Sequence, residues 1–574
     1  MRSKQHKLLM ALLLSSMASL AVADEKEELM MLRNTTLNLI DALVEQGVLD
    51  GKKAKLLVQA AEAKAKKATE QAMAESRATQ AQAAQRSEAA LPDAEKKAVR
   101  VTYVPDFVKD QIRQEIRKEL KGDVVNDVIA KAKEEKWGLP GSFPEWVSRI
   151  KLSGDLRLRG QGNWYGQENQ PFSYPDYQAI NVAGGVDQAG QDAFMNTTND
   201  QSWMRERVRL GLTAKVSDDI MAGVRITTGN LRDPISTNQT MGNTGGRYQI
   251  GLDQAYAKWD LKNDQGFKYL TLQGGRTPNP WVATDNVWDQ DLSFEGIAGT
   301  ARYSLAGGQA GADQLKNSPT LFMTLGYFPI QIDQQQSENK WMGGGQVGLD
   351  WLQTNHSRLT VAAAYYDYNN LQGQRNALGS RTNDWTSPQW MQKGNSLFTV
   401  SNDFNEDPNK PRLVGLASDY NLASFFASYD YAGFGDKHVI LTGEYTKNMG
   451  FDQKAMFRRS GVNFSDQTNA YQVRLQVGHS PASDGGGDSL GTGLNSHDWN
   501  VSVAYKYLEA DAVLDAFTDS DFHLGGTNAK GWVLRGSYGL TKNAWLGVHY
   551  FSSDSLQGPP LAVDSLYADV NVNF

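Results

Sequence analysis

From residue 148 onward, apolar and polar residues alternate along segment after segment, and this period of two limits what the chain can become. The last ten residues read "SLYADVNVNF". Leu566, Ala568, Val570, Val572 and Phe574 form one row, while Tyr567, Asp569, Asn571 and Asn573 form the other. "RIKLSGDLRLRG" sets Ile150, Leu152, Leu156 and Leu158 against Lys151, Asp155, Arg157 and Arg159. "MRERVRLGLTAKV" sets Val208, Leu210, Leu212 and Ala214 against Arg207, Arg209, Thr213 and Lys215. "AYQVRLQVGH" and "DWNVSVAYKYL" repeat the pattern, with Gln472 and Arg474, then Asn500, Ser502 and Lys506, on the polar rows. Side chains on a strand alternate between faces, so each segment reads as a two-faced β-strand. Such strands suit a half-solvated antiparallel sheet or a barrel wall with lipid outside and water inside.

Three features favour the barrel. Tyr and Trp recur near strand ends, where an interfacial girdle places them. About sixteen strands can be counted, with a phase change near 248–261 that predicts a β-bulge. Connections alternate in length. "SDD" at 217–219, "KNDQG" at 262–266, "GFGDK" at 433–437 and "TKN" at 541–543 are tight, whereas 162–201, 277–292, 371–411, 448–468 and 509–528 are long and polar. Short turns on one side and long loops on the other are the layout of an outer-membrane barrel. The turns near 306–318 and 480–497 are longer than that layout prefers. The final strand is then the closing strand, its apolar row toward lipid and Phe574 at the inner boundary. In lipid an unpaired edge costs several kcal/mol per orphan group, so the sheet must close. A soluble sandwich would leave the terminal aromatic and the loop asymmetry without a reason.

The front of the chain is different. Arg2, Lys4 and Lys7 precede the apolar run Leu8 to Leu20, and "AVAD" follows. This is the pattern of a secretory signal peptide over residues 1–23, its apolar run too short for a spanning helix. Residues 24–137 are expected to form a periplasmic helical segment. Leu29, Leu32, Thr36, Leu39 and Leu43 make a coiled-coil seam, and Lys52 to Ala90 is Ala-rich with no Pro or Gly. Pro92 ends that helix, and after Pro105 the residues Val108, Ile112, Ile116, Leu120, Val124 and Val128 recur at steps of four. Residues 138–147, containing "GLPGSFPEW", read as the linker into a barrel over 148–574.

The chain carries no Cys in 574 residues, which removes disulfides and thiolate chemistry together. The formal charge of -7 becomes about -10 without the leader's cations, which argues against a nucleic-acid partner. Catalytic and metal motifs are weak. The His residues are scattered, and the strand-borne His438 and His549 have no evident catalytic partner. The acid pairs Asp289 and Asp291, and Asp519 and Asp521, fit either Arg-paired loop carboxylates or a Ca²⁺ loop, the former being the commoner use. "GGGDSLGTG" lacks the Lys of a phosphate-binding loop. No cofactor and no enzymatic activity are expected.

The strongest chemical signal is basic. Arg157, Arg159, Arg205, Arg207, Arg209 and Arg225 fall on the polar rows of the first three strands, and Arg276, Arg302, Arg474 and Arg535 extend the lining. Strands lie about 4.8 Å apart, so these guanidinium groups form a ladder on one wall. Such a ladder lowers the barrier to anions. Alternatively the row braces acidic loops folded into the lumen, and both uses are compatible. Trp281, Trp288, Trp385 and Trp390 lie in loops and offer stacking surfaces for sugars or packing for the loops themselves.

Together these features resemble Gram-negative outer-membrane porins, and more narrowly the "putative porin" family with an N-terminal periplasmic helical segment. The resemblance rests on "VTYVPDFVKDQIRQEIRKELK", "WGLPGSFPEWVSRIKLSGDLRLR", "GGRTPNPWVATDNVWDQDLSFEGIAG" and "LEADAVLDAFTDSDFHLGGTNAKGW". It implies a lipid-embedded homotrimer whose terminal strand, ending at Phe574, is read by the barrel-assembly machinery. The function expected is passive diffusion of small hydrophilic solutes or ions, anion-leaning, through a lumen narrowed by loop 162–201 or 277–292. The alternative is a barrel anchor whose helical front contacts peptidoglycan. A helix over 52–90 would reach about 58 Å at 1.5 Å per residue.

Overall fold

The computed structural model describes residues 149–306, 312–334, 336–403, 407–479 and 494–574. The signal peptide, the helical segment at 24–137, the linker at 138–147 and "GGGDSLGTG" therefore lie outside the described residues. Sixteen strands form the wall. In chain order they are β1 Ile150–Tyr165, β2 Gln201–Lys215, β3 Ile220–Thr228, β4 Ile250–Lys262, β5 Lys268–Thr277, β6 Phe294–Ser304, β7 Thr320–Gln331 and β8 Lys340–Leu352. They continue as β9 Arg358–Asn369, β10 Asn421–Phe434, β11 Lys437–Asn448, β12 Asn469–Gly478, β13 Trp499–Leu508, β14 Ala529–Thr541, β15 Ala544–Ser555 and β16 Ala562–Asn573. Each pairs antiparallel with its chain neighbours, and a two-residue piece, Gln239–Thr240, adds to the outer end of β2.

The sheet closes on itself. β1 pairs β16 from Asp155↔Asn573 to Tyr165↔Val563. The seam ends at Gly154 and Phe574, whose backbones exchange hydrogen bonds of 2.8 and 3.0 Å. The Phe574 ring occupies the space a Cβ on Gly154 would need, so the glycine makes room for the terminal ring on the outer surface. Closure leaves no strand edge facing lipid.

The alternation resolves as expected. Leu152, Met204, Leu325 and Val473 point outward and stay exposed at 74%, 58%, 53% and 53%. Tyr303, Tyr327, Tyr445, Trp499, Trp532 and Phe574 are among the exposed outward rings. Arg157, Arg159, Gln472, Asn500 and Lys506 point inward and are buried. On the closing strand Leu566, Ala568, Val570 and Val572 face out, while Val563, Ser565, Tyr567, Asp569 and Asn571 are buried within. The phase change near 248–261 is a bulge, where the β3–β4 register shifts between Arg225 and Ile226.

Along the inner rim the chain turns tightly at 216–219, 263–267, 435–436 and 542–543. The outer connections are long at 166–200, 229–249, 278–293, 370–420, 449–468 and 509–528. The loop at 229–249 is not among the long connections read from the sequence. Loops 278–293 and 509–528 turn down into the barrel, joined by Ile235 of 229–249 and by Leu371 and Leu416 of 370–420. The β5–β6 loop, 278–293, leaves where Gly275 and Gly296 face each other with φ of +113° and +139°. A Cβ at either would strike a neighbouring strand's carbonyl, so glycine permits the backbone kink that redirects the loop. Trp281 and Trp288 of this loop pack edge-on to Tyr366 on β9, each at 5.1 Å between ring centres. The β13–β14 loop, 509–528, buries Val513, Leu514 and Phe522 in the same cluster. The outer half of the lumen thus holds an apolar core made of loop and inward ring, while the Leu and Val rows of the wall remain outside.

Candidate functional site

The six arginines of the first three strands all face the lumen. Arg157 stands opposite Arg207, and Arg159 opposite Arg205. Like charges directly across a ladder repel, so counter-charge has to be placed between them. Asp155 on β1 accepts from Arg207 at 2.9 Å and from Arg209 at 2.7 Å. Asp291, from the end of loop 278–293, takes Arg209 at 3.1 Å and lies 3.9 Å from Arg207. Arg225 pairs with Asp253. Arg157 donates to Asn238, and Arg205 lies 5.2 Å from the Trp203 ring. Arg159 is 1% exposed. It grips Asp569 through two hydrogen bonds of 2.8 and 2.9 Å, reaches Asp521 at 3.1 Å, and lies 4.5 Å over the Tyr567 ring.

A second basic group, from β12, β13 and β14, receives both infolded loops. Asp285 takes Lys506 at 2.9 Å, Arg474 at 3.2 Å and Arg535 at 3.4 Å. Asp519 pairs with Lys506 and lies 3.9 Å from Arg535. Burial pushes the Asp285 carboxyl up, but Lys506, Arg474 and Arg535 override it and hold it below the usual carboxylate range. Burial against Asp291 and Asp519 drives Asp289 the other way, well above that range. Asp289 joins the loops by accepting from Asp291 N at 2.8 Å and Ser520 N at 2.9 Å. Backbone bonds from Asp289 N to Phe517 O, 2.7 Å, and from Asp519 N to Asp285 O, 3.0 Å, complete the weld. Thr284 adds a bond to Glu444 on β11 at 2.9 Å through its backbone N–H. Loops 278–293 and 509–528 are therefore one unit, clamped by charge to two arcs of the wall.

Beneath that unit, toward the inner rim, two cavities lie on opposite arcs. A basic chamber of about 420 Å³ is lined by Arg157, Arg207, Arg209, Arg225, Asp155 and Asp291, with His549 and Asp569 on its far side. A second chamber of about 300 Å³ lies under the start of the loop, Asn279 to Val282, against β6 to β11. Above the loop a vestibule of about 690 Å³ meets Arg232, Phe328, Met342, Trp390 and Phe517. A narrow space of about 30 Å³ separates the loops from Arg157 and Arg207.

The structure thus gathers Arg157, Arg207, Arg209 and Arg225 in one chamber. Arg159 and Arg474 go to buried clamps, Arg276 pairs with Glu295 at 2.7 Å, and Arg302 lines the other chamber. Asp291, Asp519 and Asp521 answer to Arg and Lys, while Asp289 serves backbone N–H groups; among the described residues no cluster fit for a metal ion appears. Two histidine readings need correction. His438 Nδ1 lies 2.7 Å from Asp430, and His549 Nε2 lies 3.8 Å from Asp569, because antiparallel pairing brings together residues distant in sequence. Sequence reasoning also missed Asp285, Glu444 and Lys506 as site residues. Lys506 was legible on a polar row beside Arg474, but nothing local pointed to its loop partners.

The model of a family described as "Putative porin" matches residues 33–574. The chain belongs to that family. Membership and the closed barrel make this porin a channel protein of the Gram-negative outer membrane. A comparison with curated protein sequences returns no match. Among solved structures this porin is similar to Pseudomonas putida OprB, at 14% identity and a TM-score of 0.39, over 75% of this chain and 96% of that one. It is also similar to the Acinetobacter baumannii outer-membrane channel DcaP, at 10% identity and a TM-score of 0.36, over 74% of this chain and 97% of that one. Salmonella typhi OmpF in complex with daunomycin matches at 11% identity and a TM-score of 0.36, over 74% and 97% of the two chains.

Proposed function

We propose that the barrel is a passive diffusion channel for small hydrophilic solutes, anion-leaning on its basic side. The observation that carries the reading is the 420 Å³ chamber, where four arginines meet three aspartates, Asp155, Asp291 and Asp569. A narrow passage of low dielectric magnifies such an excess, because field lines are confined by the protein walls. Arginine keeps its charge through the physiological range, so the preference persists across ordinary pH. Nothing in this arrangement couples to an energy source, and solutes would move down their gradients. The resemblance further supports a homotrimer, and a terminal strand ending at Phe574 that the barrel-assembly machinery reads.

The test is a reversal potential in a KCl gradient. Arg207→Gln with Arg209→Gln should move it toward cation preference, and an unchanged potential would reduce these residues to bracing. The anchor reading draws on one observation, the apolar filling of the outer lumen by loops 278–293 and 509–528. It requires that a purified barrel carry no current.

A further inference from the structure

The chamber opposite the basic wall has a different surface. Its cations and anions balance, with Arg302 and Arg358 set against Asp350 and Asp430. Asp350 takes Arg358 through two bonds of 2.7 Å and also accepts from Thr360 at 3.2 Å. Asp430 holds His438 at 2.7 Å. What remains is organised in three cross-strand rows, fixed by the ladder register.

The row nearest the loop carries Thr300 and Thr324, whose hydroxyls are 2.9 Å apart. The middle row runs Arg302, Phe322, Gly348, Ala362 and Phe426 across β6 to β10. The inner row runs Thr320, Asp350, Thr360, Ser428 and Thr442 across β7 to β11, with Ser428 and Thr442 hydroxyls 2.9 Å apart. An apolar strip therefore lies between two rows of hydroxyls. Gly348 is what lets the Phe322 ring lie against the wall, since that ring fills the space a Cβ there would take. Phe322 is half-buried, and Pro280 and Val282 of the loop roof the same chamber. At one end of the strip Arg302 gives one N–H to Thr271 at 2.9 Å, and its other N–H groups have no hydrogen-bond partner among the described residues.

We propose that this chamber is a binding subsite for neutral polyhydroxylated solutes of monosaccharide size, on the channel reading given above. A pyranose ring has C–H faces and a rim of hydroxyls. Its face matches the Phe322 strip, and its rim matches the threonine and serine rows on either side. Arg302 supplies planar donors that a hydroxyl oxygen can accept. Balanced charge removes the advantage an anion enjoys at the basic chamber, so the two arcs of the wall serve two classes of solute.

The test uses the full chain in liposomes, with D-glucose influx followed by swelling and KCl conductance measured in a planar bilayer. Glucose influx should saturate in the parent. Phe322→Ala should raise the half-saturating concentration about fivefold, the scale of one ring contact, without lowering conductance. Arg302→Gln should act in the same direction, and Asp218→Asn, on an exposed inner turn, should behave as the parent. Normal conductance with influx strictly linear in glucose would overturn the subsite and leave the channel standing. Saturation untouched by both Phe322→Ala and Arg302→Gln would also overturn it. A parent that passes neither ions nor glucose would sink the channel reading, and the subsite with it.

Discussion

Replacing Asp285 by Asn should release the infolded loops from the wall. Asp285 is buried at 4% exposure and meets three cations, Lys506 at 2.9 Å, Arg474 at 3.2 Å and Arg535 at 3.4 Å. Asp519 is the other carboxylate at this cluster. The substitution keeps the side chain's shape and removes half of the counter-charge. Removing one partner of a buried ion pair costs about 3–5 kcal/mol, because the remaining charges stay buried without compensation. At about 1.4 kcal/mol per factor of ten, even the lower figure moves the ratio of docked to released loop by about two orders of magnitude. In single-channel recordings the variant should show new conductance substates and larger open-channel noise than the parent. Asp218→Asn is the control, since its pair with Lys215 sits on an exposed inner turn. Acid should not mimic the variant in mild conditions. The Asp285 carboxyl is held below its unfolded value, so its contribution is complete above about pH 4 and is lost only as pH falls through the lower folded value. An Asp285→Asn channel with the parent's current and noise would refute the clamp.

Four further outcomes follow from the geometry. Leu325→Arg puts a charge on the lipid face and should cost about 2–4 kcal/mol at mid-membrane depth, read as a lower heat-unfolding midpoint in detergent-free vesicles. Gly154→Leu displaces the exposed Phe574 ring from the β1–β16 seam and should cost less than about 1 kcal/mol, because the ring is the far end of a terminal side chain with room to turn, seen as a small drop in the heat-unfolding midpoint. Burial pushes the Asp515 carboxyl up to about 7, although the Gln392 and Ala516 N–H groups and Lys393 oppose it. The folded chain then holds a proton that the unfolded chain releases near pH 4, so this residue's share of stability falls as pH rises from about 4 to about 7. Asp515→Asn should flatten that decline between about pH 4 and about pH 7. Trp288→Ala, which empties a ring contact with Tyr366 and Phe294, should cost about 3–5 kcal/mol of loop packing and expose loop 278–293 to added protease.

The wall was legible because its signal is local. The alternation of Leu156, Arg157, Leu158 and Arg159 states which side chains face lipid, and the pairing of consecutive strands follows from short turns such as 542–543. Even the bulge at the β3–β4 pairing shows as a phase slip around Asp253 and Gln254. The interior was not legible in the same way. Loop 277–292 was one of two expected to enter the lumen, and it does; the other, 162–201, is not part of the clamp, and 509–528 takes that place. What decides this is charge matching over long sequence distances, as between Arg159 and Asp521, 362 residues apart. Periodicity carries no record of such pairs. A usable hint was present in the spacing of Asp515, Asp519 and Asp521, which together offer more acid than a solvated loop needs opposite a wall of inward arginines. The two histidines show the same limit, since His438 and Asp430 are neighbours only through the β10–β11 hairpin.

A lipid-facing barrel of this build should conduct through its interior while its loops stay clamped to the basic wall. Single-channel recording of the purified full chain in a planar bilayer under a KCl gradient tests this most directly. Discrete steps of ohmic current, with a reversal potential displaced toward chloride and neutralised by Arg207→Gln with Arg209→Gln, are the expected result. A folded, heat-resistant barrel that inserts and carries no current would contradict it.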